Sequence, residues 1–283
     1  MTIKILAATA ATLALAAATA LADSTFDRTL NVSGSPNVSV ATGSGYIHLN
    51  PGSGNQVHIV AHLRSSHGWL SGDVDSRIQQ IVNNPPIVQS GNDITIGERH
   101  NEDLYRNISI DYDITLPKTS GVSATTGSGD VQIQDVGASV KAQSGSGSVR
   151  VHGVQGPTIL GTGSGDVELQ QIGPGDVKAE TGSGSIRLRG VDGALKASTG
   201  SGDIEAQGQP TTDWKVSTGS GTVRLIVGNA HFNLDADTGS GTINVAQPMT
   251  MQGSLNRHHV MGTVNGGGPT IRVGTGSGDI QIK

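Results

Sequence analysis

A tetrapeptide, Thr-Gly-Ser-Gly, returns along most of this chain, followed by Asp, Ser or Thr and then by Val or Ile. Copies begin at Thr126, Ser144, Thr162, Thr181, Thr199, Thr218, Thr238 and Thr275. Counted at the first glycine, the steps are 18, 18, 19, 18, 19 and 20 residues as far as Gly239, and the last copy follows 37 residues later at Gly276. A near-constant period marks a repeat architecture, in which each unit is too small to bury a core alone and stacks on its neighbours.

Aligning the copies shows what each position requires. Four residues after the first glycine stand Val131, Val149, Val167, Ile186, Ile204, Val223, Ile243 and Ile280, all β-branched, as a buried strand position prefers. Two residues further are Ile133, Val151, Leu169, Leu188, Ala206, Leu225, Val245 and Ile282. On the other side of the motif, Val122 and Ala124, Val140 and Ala142, Val177 and Ala179 repeat the same spacing of two. Residues two apart share a face of a strand. Each coil therefore holds two short strands, one on each side of Gly-Ser-Gly, with paired inward residues. The aromatic content of 2% fits such a core, which is long and thin.

Gly-Ser-Gly is the corner. Its glycines are Gly127 and Gly129, Gly145 and Gly147, Gly163 and Gly165, Gly182 and Gly184, Gly200 and Gly202, Gly219 and Gly221, Gly239 and Gly241, and Gly276 and Gly278. Lacking Cβ, they admit positive φ and let successive backbones approach. The Thr or Ser before each corner points inward by alternation, which predicts buried hydroxyls paired with one another or with neighbouring backbone. The outward column of the following strand reads Gln132, Arg150, Glu168, Arg187, Glu205, Arg224 and Asn244. Arg150 to Arg224 alternate in sign, so in a parallel stack they form an external charge ladder. The outward column of the other strand contains Lys141, Lys178, Lys196 and Lys215, a basic stripe.

The rest of the chain frames these coils. Residues 1–22 read as a secretory signal, with Lys4 before an Ala-rich apolar stretch and Ala20-Leu21-Ala22 as a small-x-small cleavage site. Residues 23–283 then form one solenoid domain, with irregular coils over 23–118, regular coils over 119–283 and an irregular insertion near 247–268. In the irregular part, Gly43-Ser44-Gly45 and Gly52-Ser53-Gly54 read as early corners. Val74, Ile78, Ile81 and Val82 recur at helical spacing, and Pro85-Pro86 follows, predicting a short helix near 71–84 that covers an end or side of the β core. A hairpin is expected around Ser90-Gly91-Asn92-Asp93. Ile108, Ile110, Tyr112, Ile114 and Leu116 alternate as one strand, ended by Pro117.

The Thr-Gly-Ser-Gly-Asp-Val coils, the 108–116 strand running into Pro117, and the ending Gly262-Thr263-Val264-Asn265-Gly266-Gly267-Gly268-Pro269-Thr270-Ile271 with Gly276-Ser277-Gly278-Asp279-Ile280 resemble the bacterial adhesin-like family of extracytoplasmic β-solenoids, related to the LiaG-like and head GIN domains. The resemblance implies an exported solenoid and brings no catalytic residues with it.

Cysteine is absent, which excludes disulfides, thiolate catalysis and Cys-ligated zinc. A formal net charge of −5 gives no basic footprint for nucleic acid. Asp130, Asp166, Asp203 and Asp279 follow the corners and suggest calcium, but Ser148, Ser185, Thr222 and Thr242 hold the same position in other coils. Acids on alternate coils lie about 9–10 Å apart, too far to share an ion. Asp, Ser and Thr all bind turn amides, which accounts for their interchange. Glu168 and Glu205, two coils apart, suggest a glycosidase pair, though Arg187 between them suits a charge ladder better. His48, His58 and His62 lie on adjacent expected strands, and His258-His259 in the insertion, without an evident carboxylate. The glycine-rich motif lacks the Lys and helix of a phosphate-binding loop.

The sequence thus predicts an all-β protein, a single-stranded parallel β-helix of 18–19 residues per coil, right-handed by the crossover rule, with one short helix in its N-terminal half. It calls for no cofactor, metal or catalytic residue and no transmembrane segment in the mature chain. The expected role is a non-enzymatic exported envelope protein, periplasmic or at the cell surface, that contacts a surface polymer or envelope protein. A carbohydrate-active enzyme on one solenoid face and a calcium-stabilised β-roll are the alternatives.

Overall fold

The computed structural model describes residues 24–66, 72–97, 102–251 and 257–283. The expected export segment 1–22 lies outside these residues. The described chain is built almost wholly of strands, gathered into two long sheets of 12 and 13 strands. Each regular coil gives one strand to each sheet. Successive coils pair in parallel and in register, so Val131, Val149, Val167, Ile186, Ile204 and Val223 are direct neighbours along one sheet. These residues and their partners two positions on are buried, as are Val122, Val140, Val177, Leu195 and Trp214 on the opposite sheet. The core is the narrow seam between the sheets, and period-two alternation places it. Trp214 takes the place that Leu195 and Ile271 hold on neighbouring strands, and its indole N–H donates to the Gly193 carbonyl (3.1 Å).

The N-terminal end departs from this pattern. Strand Ile108–Pro117 pairs in parallel with Ile47–Gly52 on one edge and antiparallel with Gln56–Ser65 on the other, and Gln56–Ser65 pairs antiparallel with Ser24–Asn31. Gly52-Ser53-Gly54 is therefore not a coil corner. It is the turn into an antiparallel strand, and a Cβ at Gly54 would meet nothing within 4 Å. The helix expected near 71–84 is Gly72–Asn83. It buries Val74, Ile78 and Ile81 against Ser24–Asn31 and Gln56–Ser65, covering the end of the seam. Arg77 fastens it to a second short helix, Glu102–Tyr105, by donating to the carbonyls of Asp103, Leu104 and Arg106 (2.8, 3.2 and 2.8 Å). The expected hairpin is Ile87–Ser90 with Asp93–Ile96.

The coils do not stack in chain order at either end. Asn37–Ser44 lies between Asp93–Ile96 and Gly121–Ser128, while Ile47–Gly52 lies between Ile108–Pro117 and Val131–Gln134. At the far end, Thr270–Ser277 lies between Trp214–Ser220 and Phe232–Ser240, and Ile280–Ile282 lies between Val223–Ile226 and Ile243–Val245. The chain leaves a slot open, builds the coil beyond it, and fills the slot with its last residues. The connecting segment adds antiparallel strands Met249–Met251 and His259–Val264 beyond Phe232–Ser240, extending one sheet past the other.

This order is directly testable, because the chain has no native cysteine. Arg224→Cys with Gln281→Cys puts two outward thiols on neighbouring strands, within the Cα separation of about 4.4–6.8 Å that a disulfide accepts. Arg224→Cys with Asn244→Cys puts them two strands apart. The first pair is expected to oxidise to an intramolecular disulfide and the second to stay reduced, as read by thiol titration. The reverse result would mean that the coils stack in chain order.

Candidate functional site

The corners form one continuous column. In stacking order the second glycines are Gly45, Gly129, Gly147, Gly165, Gly184, Gly202, Gly221, Gly278 and Gly241. Both glycines of a corner are required because a Cβ would strike the adjoining coil. Gly129 has φ +149°, whereas Gly127 has an ordinary φ; a Cβ on Gly127 would lie 2.5 Å from the Gly43 carbonyl oxygen, and one on Gly129 2.1 Å from that of Gly45. The hydroxyl before each corner is buried and donates to the second-glycine carbonyl of the adjoining coil. Thr126 reaches Gly45 (2.9 Å), Ser144 reaches Gly129 (2.8 Å), Thr162 reaches Gly147 (2.7 Å), Thr181 reaches Gly165 (2.9 Å) and Thr199 reaches Gly184 (3.0 Å). Thr218, Thr275 and Thr238 continue to Gly202, Gly221 and Gly278 (2.9, 3.0 and 2.9 Å). The hydroxyls bond to backbone rather than to one another.

Thr42 belongs to this column, donating to the Ile110 carbonyl (3.0 Å). Its motif, Thr42-Gly43-Ser44-Gly45, is intact in the sequence, with Tyr46 in place of the usual Asp, Ser or Thr. Ile110 stands where the other coils have their second glycine, which puts Asp111 at the Asp position.

The residue after the corner explains the Asp-to-hydroxyl interchange. Asp130 accepts the amide of Ser148 (2.9 Å), Asp166 that of Ser185 (2.8 Å), Asp203 that of Thr222 (2.8 Å) and Asp279 that of Thr242 (2.8 Å). Asp111 does the same for Tyr46 (3.0 Å). In stacking order the position reads Asp111, Tyr46, Asp130, Ser148, Asp166, Ser185, Asp203, Thr222, Asp279, Thr242, an unbroken alternation. Each carboxylate is spent on the next coil's amide, and none sits against another at the strand spacing of about 4.8 Å. Among the described residues no group of His, Asp and Glu is placed to hold a metal ion. Asp111 alone of these acids is buried, because Arg64 of the antiparallel strand covers it with an ion pair.

Function must then be sought on the outward faces. Arg150, Glu168, Arg187, Glu205 and Arg224 are register neighbours in one column, flanked by Gln132 on one side and by Gln281 and Asn244 on the other. Ion pairs from this column run diagonally, from Arg150 to Asp130 (3.1 Å) and from Glu168 to Arg189 (4.0 Å). A shallow cleft of about 330 Å³ lies over Arg187, Glu205 and Arg224. Glu168 and Glu205 are two rungs apart with Arg187 between them. On the other sheet, Glu180 bridges Lys178 (2.9 Å) and Lys196 (3.3 Å), and the Lys178 hydrogen bond, with that of Lys196, holds its carboxyl below the usual range.

The histidines have carboxylate partners that only the pairing reveals. His48 Nδ1 lies 3.2 Å and His62 Nε2 3.9 Å from Asp113, which also accepts the Tyr46 hydroxyl (3.0 Å); His58 meets Asp27 (2.9 Å) and His259 meets Asp237 (3.3 Å). Burial, with the bond to Asp113, pushes the Tyr46 phenol up to about 12. A cleft of about 520 Å³ opens over the Gly45 corner, lined by Thr42, Ser44, Tyr105, Arg106, Ile110 and Tyr112. The Tyr112 hydroxyl is buried without a hydrogen-bond partner, and burial raises its pKa.

Two predictions follow from the corner chemistry. Replacing Thr181 and Thr199 together by Val leaves the Gly165 and Gly184 carbonyls without these donors. Stability should fall by about 1 kcal/mol for each bond, read as a lower urea midpoint; an unchanged midpoint would show the column to be mere packing. Asp279 is held below the ordinary aspartate range by the Thr242 amide and then by the Thr242 hydroxyl. A carboxyl with a lowered folded pKa contributes stability that is complete above its unfolded pKa and is lost as pH falls through the folded value. Asp279→Asn is therefore expected to flatten the acid limb of a stability-against-pH curve, measured by urea midpoints from neutral to acid pH.

Two solved structures are similar over most of their length. One is a "putative adhesin" from Bacteroides fragilis, 14% identical, covering 92% of this chain and 97% of that one with a TM-score of 0.43. The other is a "putative cell adhesion protein" from Clostridium sporogenes, 11% identical, covering 92% and 99% with a TM-score of 0.27. No curated protein matches the chain. The family model described as Toastrack DUF4097 matches residues 77–283, from the N-terminal helix through every regular coil to the last residue. The chain belongs to the Toastrack DUF4097 family.

Proposed function

We propose that this protein is exported to the cell envelope and acts there as a non-enzymatic, adhesin-like binding module for a polymeric surface partner. The observation that carries this reading is the in-register outward column. Side chains of one position repeat along a straight sheet face at about 4.8 Å per coil, a geometry that matches a partner whose own groups repeat along a line. The groups that most resemble a site in the sequence, the corner hydroxyls and carboxylates, are engaged in holding coil to coil. The charged outward residues are exposed or half-buried and remain available to a partner. Export rests on the N-terminal segment 1–22. No helix among the described residues is long and apolar enough to cross a membrane.

The test is a binding screen of the purified protein against peptidoglycan, envelope glycans and host surface polymers, with product release followed in the same wells. Retention of at least one polymer without turnover is expected. Release of oligosaccharides that stops in Glu168→Gln or Glu205→Gln would replace this reading with that of a carbohydrate-active enzyme.

A further inference from the structure

The two faces of the solenoid treat charge in opposite ways. On one, Arg and Glu alternate from coil to coil. On the other, Lys141, Ile159, Lys178, Lys196, Lys215 and Arg272 occupy a single outward column on six consecutive parallel strands. Four cations in succession, Lys178 to Arg272, stand directly opposite one another. Like charges in that relation are destabilising, and the alternating face shows that this scaffold accommodates the opposite choice. The column spans five strand intervals, about 24 Å, on a protein whose net charge is negative.

The acids nearby cancel it only in part. Glu180 serves Lys178 and Lys196. Asp235 lies 3.9 Å from Arg272 at the end of the column. Asp176 and Asp213, at the strand entrances, accept the amides of Ala194 (3.0 Å) and Thr270 (2.8 Å). Among the described residues no carboxylate lies within ion-pair distance of Lys141 or Lys215.

We infer that this column is a track for a linear acidic polysaccharide of the uronate type, an inference that rests on the polymer-binding reading above. Such a chain carries one carboxylate on each sugar, and those turned toward the sheet meet the lysines along the column's length of about 24 Å. Ile159, 44% exposed, interrupts the cations with an apolar patch, and Gly161, in the next outward position of the same strand, adds no side chain beside it. The C–H face of a pyranose ring fits there, a contact that inorganic polyphosphate, which has no C–H groups, does not make. Gln143, Ser198 and Ser217 line the same neighbouring column and supply hydrogen-bonding groups for ring hydroxyls.

The experiment measures binding of the full chain to polygalacturonate, to its methyl-esterified form and to inorganic polyphosphate, by titration calorimetry at two salt concentrations. Polygalacturonate is expected to bind, more weakly in higher salt, and the neutral ester is not. Lys196→Glu with Lys215→Glu should lower the affinity about tenfold or more, while Arg28→Glu on the exposed face of the N-terminal antiparallel strand Ser24–Asn31 leaves it unchanged, both variants staying folded by circular dichroism. Equal binding by the Lys196/Lys215 variant, equal binding of the ester, or binding of polyphosphate in place of polygalacturonate would each overturn the inference. If the parent retains another envelope polymer but not polygalacturonate, this inference fails and the broader reading stands. If it retains no polymer at all, both fail.

Discussion

Each coil meets the next most tightly at the corner, where a carbonyl accepts a buried hydroxyl and nothing larger than hydrogen fits beside the backbone. The rest of the architecture follows from that contact. Gly-Ser-Gly cannot tolerate a side chain at either glycine, because a Cβ would fall about 2 Å from the carbonyl below, as at Gly202 over Gly184 (2.1 Å). The hydroxyl position must be small, polar and inward, which Thr and Ser satisfy. A corner held this tightly fixes the register of the strands on both sides, and a fixed register keeps the β-branched columns facing the seam. A one-residue slip would turn every one of them to solvent.

The regular coils were legible in the sequence because their two periods are local. Alternation by two marks each strand, and the return of the corner marks each coil. The order of the coils was harder, since a segment that fits one slot fits any other. Yet the information was present in the residue after the corner. In chain order Asp203, Thr222, Thr242 and Asp279 break the alternation of acid and hydroxyl; inserting the Asp279 coil between the other two restores it. The physical reason is that an Asp needs a neighbour whose amide it can accept and whose side chain is not another acid. The same rule makes Asp111 the partner of Tyr46 and joins Thr42 to the column. The antiparallel strands at the N-terminal end were not legible in this way. Gln56–Ser65 alternates like any coil strand, and only its pairing with Ile108–Pro117 shows its direction. The carboxylates beside His48, His58 and His62 were hidden for the same reason, as Asp113 and Asp27 lie far from them in the chain.

A lattice closed on its inside leaves the outside free. The stacking is secured by backbone ladders, the buried columns and the corner hydroxyls, none of which uses an outward side chain. Exposed ion pairs contribute only about 0–1 kcal/mol each, and opposed like charges cost amounts of the same order. A run of cations such as Lys178 to Arg272 is therefore a small burden on a stack held by so many internal bonds. The alternating face does not need its charges for folding, and the basic face is not prevented from keeping its own. Composition on such faces is set by what they meet rather than by what holds the coils together. This is why a motif that first looks like a binding loop proves to be the frame, and why the search for a partner moves to the residues that the frame does not use.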